Sequence, residues 1–169
     1  MTKAVLVFSA VSIFVVVLQG TVAPYITFAG AGLNLVVIFV AGIALQFGPS
    51  IGMAVGLAVG LLTDVVLGIA IGYYAIPLVI IGFLVGKFER RFFNDPFLVP
   101  VTVGLIAISI YEITLLLLAR LVFGIWLGGV FLSTIAPTIL INSLSMPLFL
   151  WCLRPLIPLM GALGRWKNE

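Results

Sequence analysis

Residues 56–76 read GLAVGLLTDVVLGIAIGYYAI, and one carboxylate, that of Asp64, interrupts this otherwise almost wholly apolar stretch. An ionised carboxylate inside a bilayer costs several kcal/mol unless it is paired or neutral, so such groups usually face the interior of a helix bundle. The stretch therefore predicts membrane-spanning helices, with Asp64 turned inward toward other polar side chains.

The rest of the chain is equally apolar. Of its 169 residues, 64% are hydrophobic and 8% are charged, and the mean hydropathy is +1.42. A soluble domain of this size exposes too much of its surface to hide so many apolar side chains. The composition predicts an integral membrane protein with a single domain, because no polar stretch is long enough to form a second one.

Six apolar segments are candidates for membrane-spanning helices, which need about 20 apolar residues to cross a core about 30 Å thick. The strands of a membrane β-barrel would instead alternate in polarity over about 10 residues, whereas these runs are continuous. We therefore predict an all-α protein, and we interpret the first segment as an uncleaved span because no small-residue cleavage site follows it. The predicted spans are 4–22, 31–47, 50–67, 73–88, 97–122 and 132–153.

Basic residues predict the orientation, because loops on the cytoplasmic side carry an excess of Lys and Arg. Six spans place both termini on one side, which we predict to be the cytoplasm, and only Arg120 then falls elsewhere. The longest loop on that side is a basic loop around Lys87, Arg90 and Arg91. It is either an anchor at the lipid headgroups or a docking site for a cytoplasmic partner. The other basic residues on the cytoplasmic side are Lys3, Arg154, Arg165 and Lys167.

The residue types argue against several classes of function. The chain has no histidine and one cysteine, so we expect no metal site, no internal disulfide and no cofactor. No GxxxxGK[ST] motif is present, and the net charge of +3 reflects topology rather than nucleic-acid binding. The two aspartates, Asp64 and Asp95, are predicted at different depths and form no catalytic dyad. We therefore predict that the protein is not an enzyme.

Four glycines, Gly48, Gly52, Gly56 and Gly60, recur at intervals of four residues. This spacing produces a stripe along one face of a helix, and small residues in such a stripe allow two helix backbones to approach closely. The stripe predicts either tight packing inside the bundle or an interface with a partner helix or a second copy of the chain.

The remaining intramembrane polar residues are predicted at similar depths. At 1.5 Å per residue, Asp64 and Glu112 lie about 21–23 Å from the cytoplasmic ends of their helices, and Asn142 about 15 Å from its outer end. Arg120 lies two turns beyond Glu112 and points either inward or out to the headgroups. We predict a buried polar cluster of Asp64, Glu112, Asn142 and Arg120, or alternatively a hydrated Asp64 at the outer boundary.

Three segments, taken in order, resemble the MreD family of bacterial rod shape-determining membrane proteins. They are the glycine-rich stretch 52–93 that contains Asp64, the segment ISIYEITLLLL at 108–118, and APTILINSLSMPLFLWCLRPL at 136–156. The chain departs from the family pattern near residues 32–34, where members often carry Pro-Asp and this chain carries no acidic residue. The resemblance covers most of the chain, and the order of the segments is its most specific feature.

The resemblance implies a fold akin to the substrate-binding S components of energy-coupling-factor vitamin transporters. It also implies a non-enzymatic membrane scaffold of the cell-elongation complex in the bacterial inner membrane, which controls rod shape and peptidoglycan synthesis. The implied partners are MreC, the synthase RodA with a class B penicillin-binding protein through the complex, and MreB at the cytoplasmic loop. Asp64, Glu112 and Asn142 would then hold the bundle together or bind a partner helix.

The alternative reading is a vitamin-binding S component of an energy-coupling-factor transporter. Such a protein needs a pocket open to the outside with aromatic and polar lining, which here would come from Tyr25, Tyr73, Tyr74, Trp126 and the region of Asp64. Its first span commonly carries Ala-xxx-Ala, whereas Ala4 and Ala10 are six residues apart. An orphan transporter or a membrane enzyme is the third class.

Overall fold

The computed structural model describes residues 2–28, 31–67, 70–88, 97–124, 134–153 and 155, and this part of the chain folds into a bundle of six α-helices. The helices are α1 (Thr2–Thr21), α2 (Leu35–Phe47), α3 (Pro49–Leu67), α4 (Ala75–Gly86), α5 (Leu98–Phe123) and α6 (Ala136–Leu153). Between α1 and α2 lie a short 3₁₀ turn, Ala23–Tyr25, and two short strands, β1 (Thr27–Phe28) and β2 (Ala31–Gly32). The strands pair antiparallel, with Thr27 opposite Gly32 and Phe28 opposite Ala31.

Four segments of the described part are long and apolar enough to cross a membrane: Leu6–Tyr25, Pro49–Leu67, Leu98–Phe123 and Ala136–Leu153. The other two helices, α2 and α4, are apolar but have only 13 and 12 residues. At 1.5 Å per residue they are about 18–20 Å long, which is shorter than a hydrocarbon core of about 30 Å. The fold is therefore that of an all-helical membrane protein, and the count of six spans stays a prediction.

The start of α2 lies four residues later than the start of the predicted span. The predicted span begins at residue 31, whereas residues 31 and 32 form β2 and the helix begins at Leu35. Asn34 is the N-cap of α2, and its side-chain oxygen accepts the N–H of Val37. Because a cap residue is not helical, the apolar residues before it belong to a different element.

The short helix α2 lies at the centre of the bundle. Ten of its 13 residues are buried, and it contacts each of the other five helices. A helix that is apolar on all sides is expected to be enclosed by others. The side chain of Phe39 is fully buried, and its ring stacks on that of Phe8 from α1 at 6.0 Å between centroids.

The helices α3 and α4 form the closest pair, because their backbones touch along a row of glycines. A Cβ atom added to Gly52 would overlap the carbonyl oxygen of Gly82, and one added to Gly56 would overlap that of Leu78. At Gly60 the added atom would meet the backbone of Ala75. Direct backbone contact of this kind is what small residues at regular spacing permit in a membrane.

Candidate functional site

Asp64 is buried near the end of α3, with 3% of its surface exposed. Its two carboxylate oxygens accept hydrogen bonds from backbone N–H groups in the turn that precedes α4. Oδ2 accepts the N–H of Gly72 at 2.7 Å, and Oδ1 accepts the N–H of Tyr74 at 2.7 Å. Gly72 has a φ of +94°, a conformation that glycine adopts without the steric cost of a Cβ atom.

This arrangement places a negative charge at the start of a helix. Tyr74 is the residue that precedes α4, and the first N–H groups of a helix lack partners within it and carry partial positive charge. An anion at that position is stabilised by both the hydrogen bonds and the helix dipole. We call Asp64 and its two backbone donors, Gly72 and Tyr74, the α4 cap. This contact explains why an apolar helix retains a carboxylate.

Asn142 lies on α6 and is fully buried. Its side chain bonds backbone groups at the start of α2, as Asp64 does at the start of α4. Its Oδ1 atom accepts the backbone N–H of Asn34 at 2.6 Å. Its Nδ2 atom donates to the carbonyl oxygen of Gly32 at 3.0 Å and to that of Thr138, one turn earlier on α6, at 2.8 Å. One amide side chain therefore holds both strand β2 and the N-cap residue of α2.

Two further side chains complete the contacts at this point. Gln19, from α1, accepts the N–H of Leu35 at 2.7 Å through Oε1 and donates to the carbonyl oxygen of Leu33 at 3.3 Å through Nε2. The buried Tyr111, from α5, lies beside the side chain of Asn34. We call Gln19, Asn34, Tyr111 and Asn142 together the α2 cap.

Both caps satisfy backbone groups at the start of a short helix. Asn142 lies six residues after the first residue of α6, or about 9 Å along that helix, so α2 begins well inside the N-terminal end of its neighbour. Backbone groups inside a membrane have no water to bind and must be satisfied by the protein. The long helices α1, α3 and α6 supply the side chains that do so for the two short ones.

The structure does not bring the four residues of the predicted polar cluster together. Asp64 bonds the turn before α4, Asn142 bonds the residues before α2, and Arg120 donates from Nη1 to the carbonyl oxygen of Gly124 at 3.1 Å. Arg120 is exposed in the last turn of α5, where a cation is favoured by the helix dipole.

Glu112 is half-buried on α5, and no hydrogen bond or ion pair reaches its carboxylate among the described residues. The side chain of Tyr73 lies within electrostatic range of it. The Tyr73 hydroxyl donates to the carbonyl oxygen of Leu115 at 3.4 Å, and its ring meets that of Phe123 edge-on at 5.8 Å between centroids. Glu112 therefore stands beside the turn before α4 without being part of either cap.

The glycine stripe lies inside the chain. Gly52, Gly56 and Gly60 face α4 as described above, and on α4 Gly86 approaches the backbone of Pro49. Gly48 has a different role, because it ends α2 with a φ of +88° and accommodates the turn into α3. Of the two predicted uses of the stripe, the structure shows the contact within the chain.

Only the first residue of the predicted cytoplasmic basic loop lies in the described part. The ammonium group of Lys87 is 4.2 Å from the centroid of the Phe83 ring, one turn earlier, which is the geometry of a cation–π contact. Arg90 and Arg91 lie outside the described residues.

Of the residues predicted as lining for a vitamin pocket, Tyr73, Tyr74 and Asp64 lie together at the α4 cap. Tyr25 is 88% exposed, whereas Tyr73 and Tyr74 pack edge-on against each other at the α4 cap, with centroids 5.2 Å apart. Trp126 lies outside the described residues. Within the described part, no group of three or more Cys, Asp or Glu side chains is placed to hold a metal ion.

We expect that Asn142→Leu will destabilise the isolated protein, because it leaves the N–H of Asn34 and the carbonyl of Gly32 without partners. A buried unpaired group costs about 1–3 kcal/mol, so the thermal midpoint in detergent should fall by at least about 5 °C. Ser145→Ala is the matched control, since the Ser145 hydroxyl bonds only the carbonyl of Ile141 in its own helix. Equal midpoints for the two variants would contradict the assigned role of Asn142.

The comparison with protein-family models gives one result that covers nearly the whole chain. The model described as rod shape-determining protein MreD matches residues 1–158, a range that contains all six helices of the described part. No curated protein and no solved structure matches the chain.

Proposed function

The chain belongs to the MreD family of rod shape-determining proteins, and from that premise we propose that it is a non-enzymatic scaffold of the bacterial elongation complex. Membership gives a role in bacterial cell shape and a place in the membrane, which the apolar helices suit. The proposal adds that the protein acts by binding MreC and, through the complex, RodA and a class B penicillin-binding protein. It would thereby control peptidoglycan synthesis.

The observation that carries the scaffold role is the use of the buried polar side chains. Each one in the described part is hydrogen-bonded to backbone groups of this same chain. Such bonds satisfy the backbone and stabilise the bundle, whereas a catalytic or ligand-binding site needs polar groups directed at a substrate. These residues are Ser12, Thr63, Asp64, Thr138, Asn142 and Ser143.

We propose a multi-pass arrangement in the inner membrane with six spans and both termini in the cytoplasm. The short helices α2 and α4 are compatible with this count, because the caps satisfy the backbone groups at their outer ends. In that orientation the basic loop at Lys87, Arg90 and Arg91 faces the cytoplasm. There it would meet lipid headgroups and is the proposed contact for MreB.

The internal use of the glycine stripe constrains how partners bind. Because Gly52, Gly56 and Gly60 are covered by α4, a partner helix or a second copy of the chain must use another face. The exposed apolar side chains of α1, α5 and α6 offer such faces to lipid or to a partner helix. Examples are Phe14, Leu117, Leu121, Leu148 and Trp151.

The proposal is tested by purifying the tagged protein from its native membrane in a gentle detergent and identifying co-purified proteins and small molecules by mass spectrometry. We expect MreC and cell-wall synthases, without a bound metabolite. An unrelated multi-pass protein with the same tag is the control for detergent-micelle background. Recovery of a vitamin together with an ATPase-coupled membrane partner would instead support the S-component alternative and overturn the scaffold.

A further inference from the structure

Glu112 differs from the other membrane-level carboxylate, Asp64, in having no partner among the described residues. Asp64 accepts two backbone N–H groups, whereas no hydrogen bond or ion pair of the described part reaches the half-buried Glu112. An ionised carboxylate without a partner inside a membrane costs several kcal/mol. A partner from outside the chain would remove most of that cost.

The position of Glu112 along α5 limits what such a partner is. It lies 14 residues after Leu98 and 11 before Phe123, or about 21 Å and about 17 Å from the two ends of the helix. If α5 is centred in a hydrocarbon core about 30 Å thick, Glu112 lies close to the middle. The amines of lipid headgroups lie outside that core and do not reach this depth.

Among the described residues, no cation lies at the depth of Glu112. Arg120 is eight residues, or about 12 Å, further along α5, and its guanidinium bonds the carbonyl of Gly124 in the opposite direction. Of the other described basic residues, Lys3 lies in the first turn of α1 and Lys87 directly follows α4. A second copy of the chain in the same orientation would place these basic residues at the same depths, so none of them would reach Glu112.

We propose that Glu112 is the point at which a different membrane protein docks, through a spanning helix that carries a lysine or arginine at mid-membrane depth. This rests on the proposed scaffold function and adds the chemistry of the contact. Around Glu112, α5 offers the exposed side chains of Leu105 and Ile113, which would pack against the apolar part of the same helix. A charge pair removed from water gives specificity as well as affinity.

The test compares the wild-type chain with Glu112→Gln, which keeps the size and hydrogen-bonding ability of the side chain but removes its charge. Ser109→Ala is the control, because it lies one turn away on α5 and its hydroxyl bonds only the carbonyl of Leu105. Each protein is purified in gentle detergent, and the co-purified membrane proteins are quantified per molecule of bait. Thermal unfolding of each isolated chain is measured in parallel.

We expect Glu112→Gln to recover at least about tenfold less of one membrane partner, while Ser109→Ala recovers as much as the wild type. The isolated Glu112→Gln chain should unfold at or above the wild-type temperature, because the carboxylate makes no hydrogen bond or ion pair in the described part and the variant loses the cost of burying its charge. Undiminished recovery, or a lowered unfolding temperature, would overturn the docking role. If the wild type recovers no membrane partner at all, the scaffold function fails with it.

A second measurement checks the chemistry of the partner. A photo-crosslinking amino acid at position 109 should attach to a membrane-spanning segment with a lysine or arginine within about one turn of the attachment point. A crosslinked segment without a basic residue would overturn the ion pair, even where docking on α5 is real. Crosslinking to lipid alone would overturn the docking as well.

Discussion

Asp64→Leu will lower the thermal stability of the isolated protein more than any other single substitution of a polar residue considered above. It leaves the N–H groups of Gly72 and Tyr74 without acceptors and removes the negative charge from the start of α4. Each unpaired buried group costs about 1–3 kcal/mol, and bonds to a charged acceptor are the stronger ones. Asp64→Asn keeps one acceptor oxygen and should fall between the leucine variant and the wild type.

The measurement is thermal unfolding in detergent, with hydrogen exchange at Gly72 and Tyr74 as a local readout. Thr63→Val is the matched control, because Thr63 is the buried neighbour of Asp64 and its hydroxyl bonds only the carbonyl of Val59 in the same helix. Faster exchange should appear at the two capped N–H groups in both Asp64 variants and not in the control. Equal stability of Asp64→Leu and Thr63→Val would show that the cap contributes nothing.

Gly56→Leu is the second large effect that we expect, because the new side chain has no space between α3 and α4. Its Cβ atom alone would overlap the carbonyl of Leu78 and the nitrogen of Val79. These are backbone atoms of a packed helix, so relief requires α4 to move away as a whole. Overfilling a tight contact costs about 1–3 kcal/mol, and we expect the upper end of that range or failure of the protein to accumulate.

Ala58→Leu is the control for the glycine variant, since it introduces the same side chain on the exposed face of the same helix. We expect Ala58→Leu to accumulate and unfold like the wild type. Gly56→Ala should be intermediate, because it adds only the overlapping Cβ atom. Normal accumulation and stability of Gly56→Leu would mean that the backbones of α3 and α4 do not touch in the membrane.

The sequence predicted the helical class and the inward position of Asp64, because apolar composition and the cost of a buried charge act without reference to the rest of the fold. It did not predict which groups Asp64 contacts. Helix rise gives the depth of a residue but not the direction that its side chain faces, so Asp64, Glu112 and Asn142 were placed together. The nearest donors for Asp64 are local backbone groups at Gly72 and Tyr74, and backbone groups leave no pattern in the sequence.

The α2 cap was missed for a related reason. Residues 31–33 are small or apolar, and a short apolar run does not distinguish a strand from the start of a helix. Asn34 was the available signal, because asparagine is a favoured N-cap residue. Nothing in the sequence, however, indicated that Gln19 and Tyr111 belong to the same contact.

The glycine spacing left open which helix faces the stripe. A spacing of four predicted a close helix contact, and the structure supplies the facing helix within the chain. Gly82 and Gly86 repeat the spacing on the next helix, where both meet backbone atoms at the start of α3. Two neighbouring helices with glycines in step, joined by a short turn, are able to pack without a partner.

The two caps also differ in when they are able to form during synthesis. Asp64 and its donors are separated by 8 and 10 residues, so the α3–α4 pair is complete as soon as the ribosome has delivered α4. Asn34 must wait for Asn142, which emerges 108 residues later. Until α6 enters the bilayer, the N–H of Asn34 therefore lacks its acceptor, and only Gln19 of α1 is present to bond the start of α2. The helix at the centre of the finished bundle is the last to be secured.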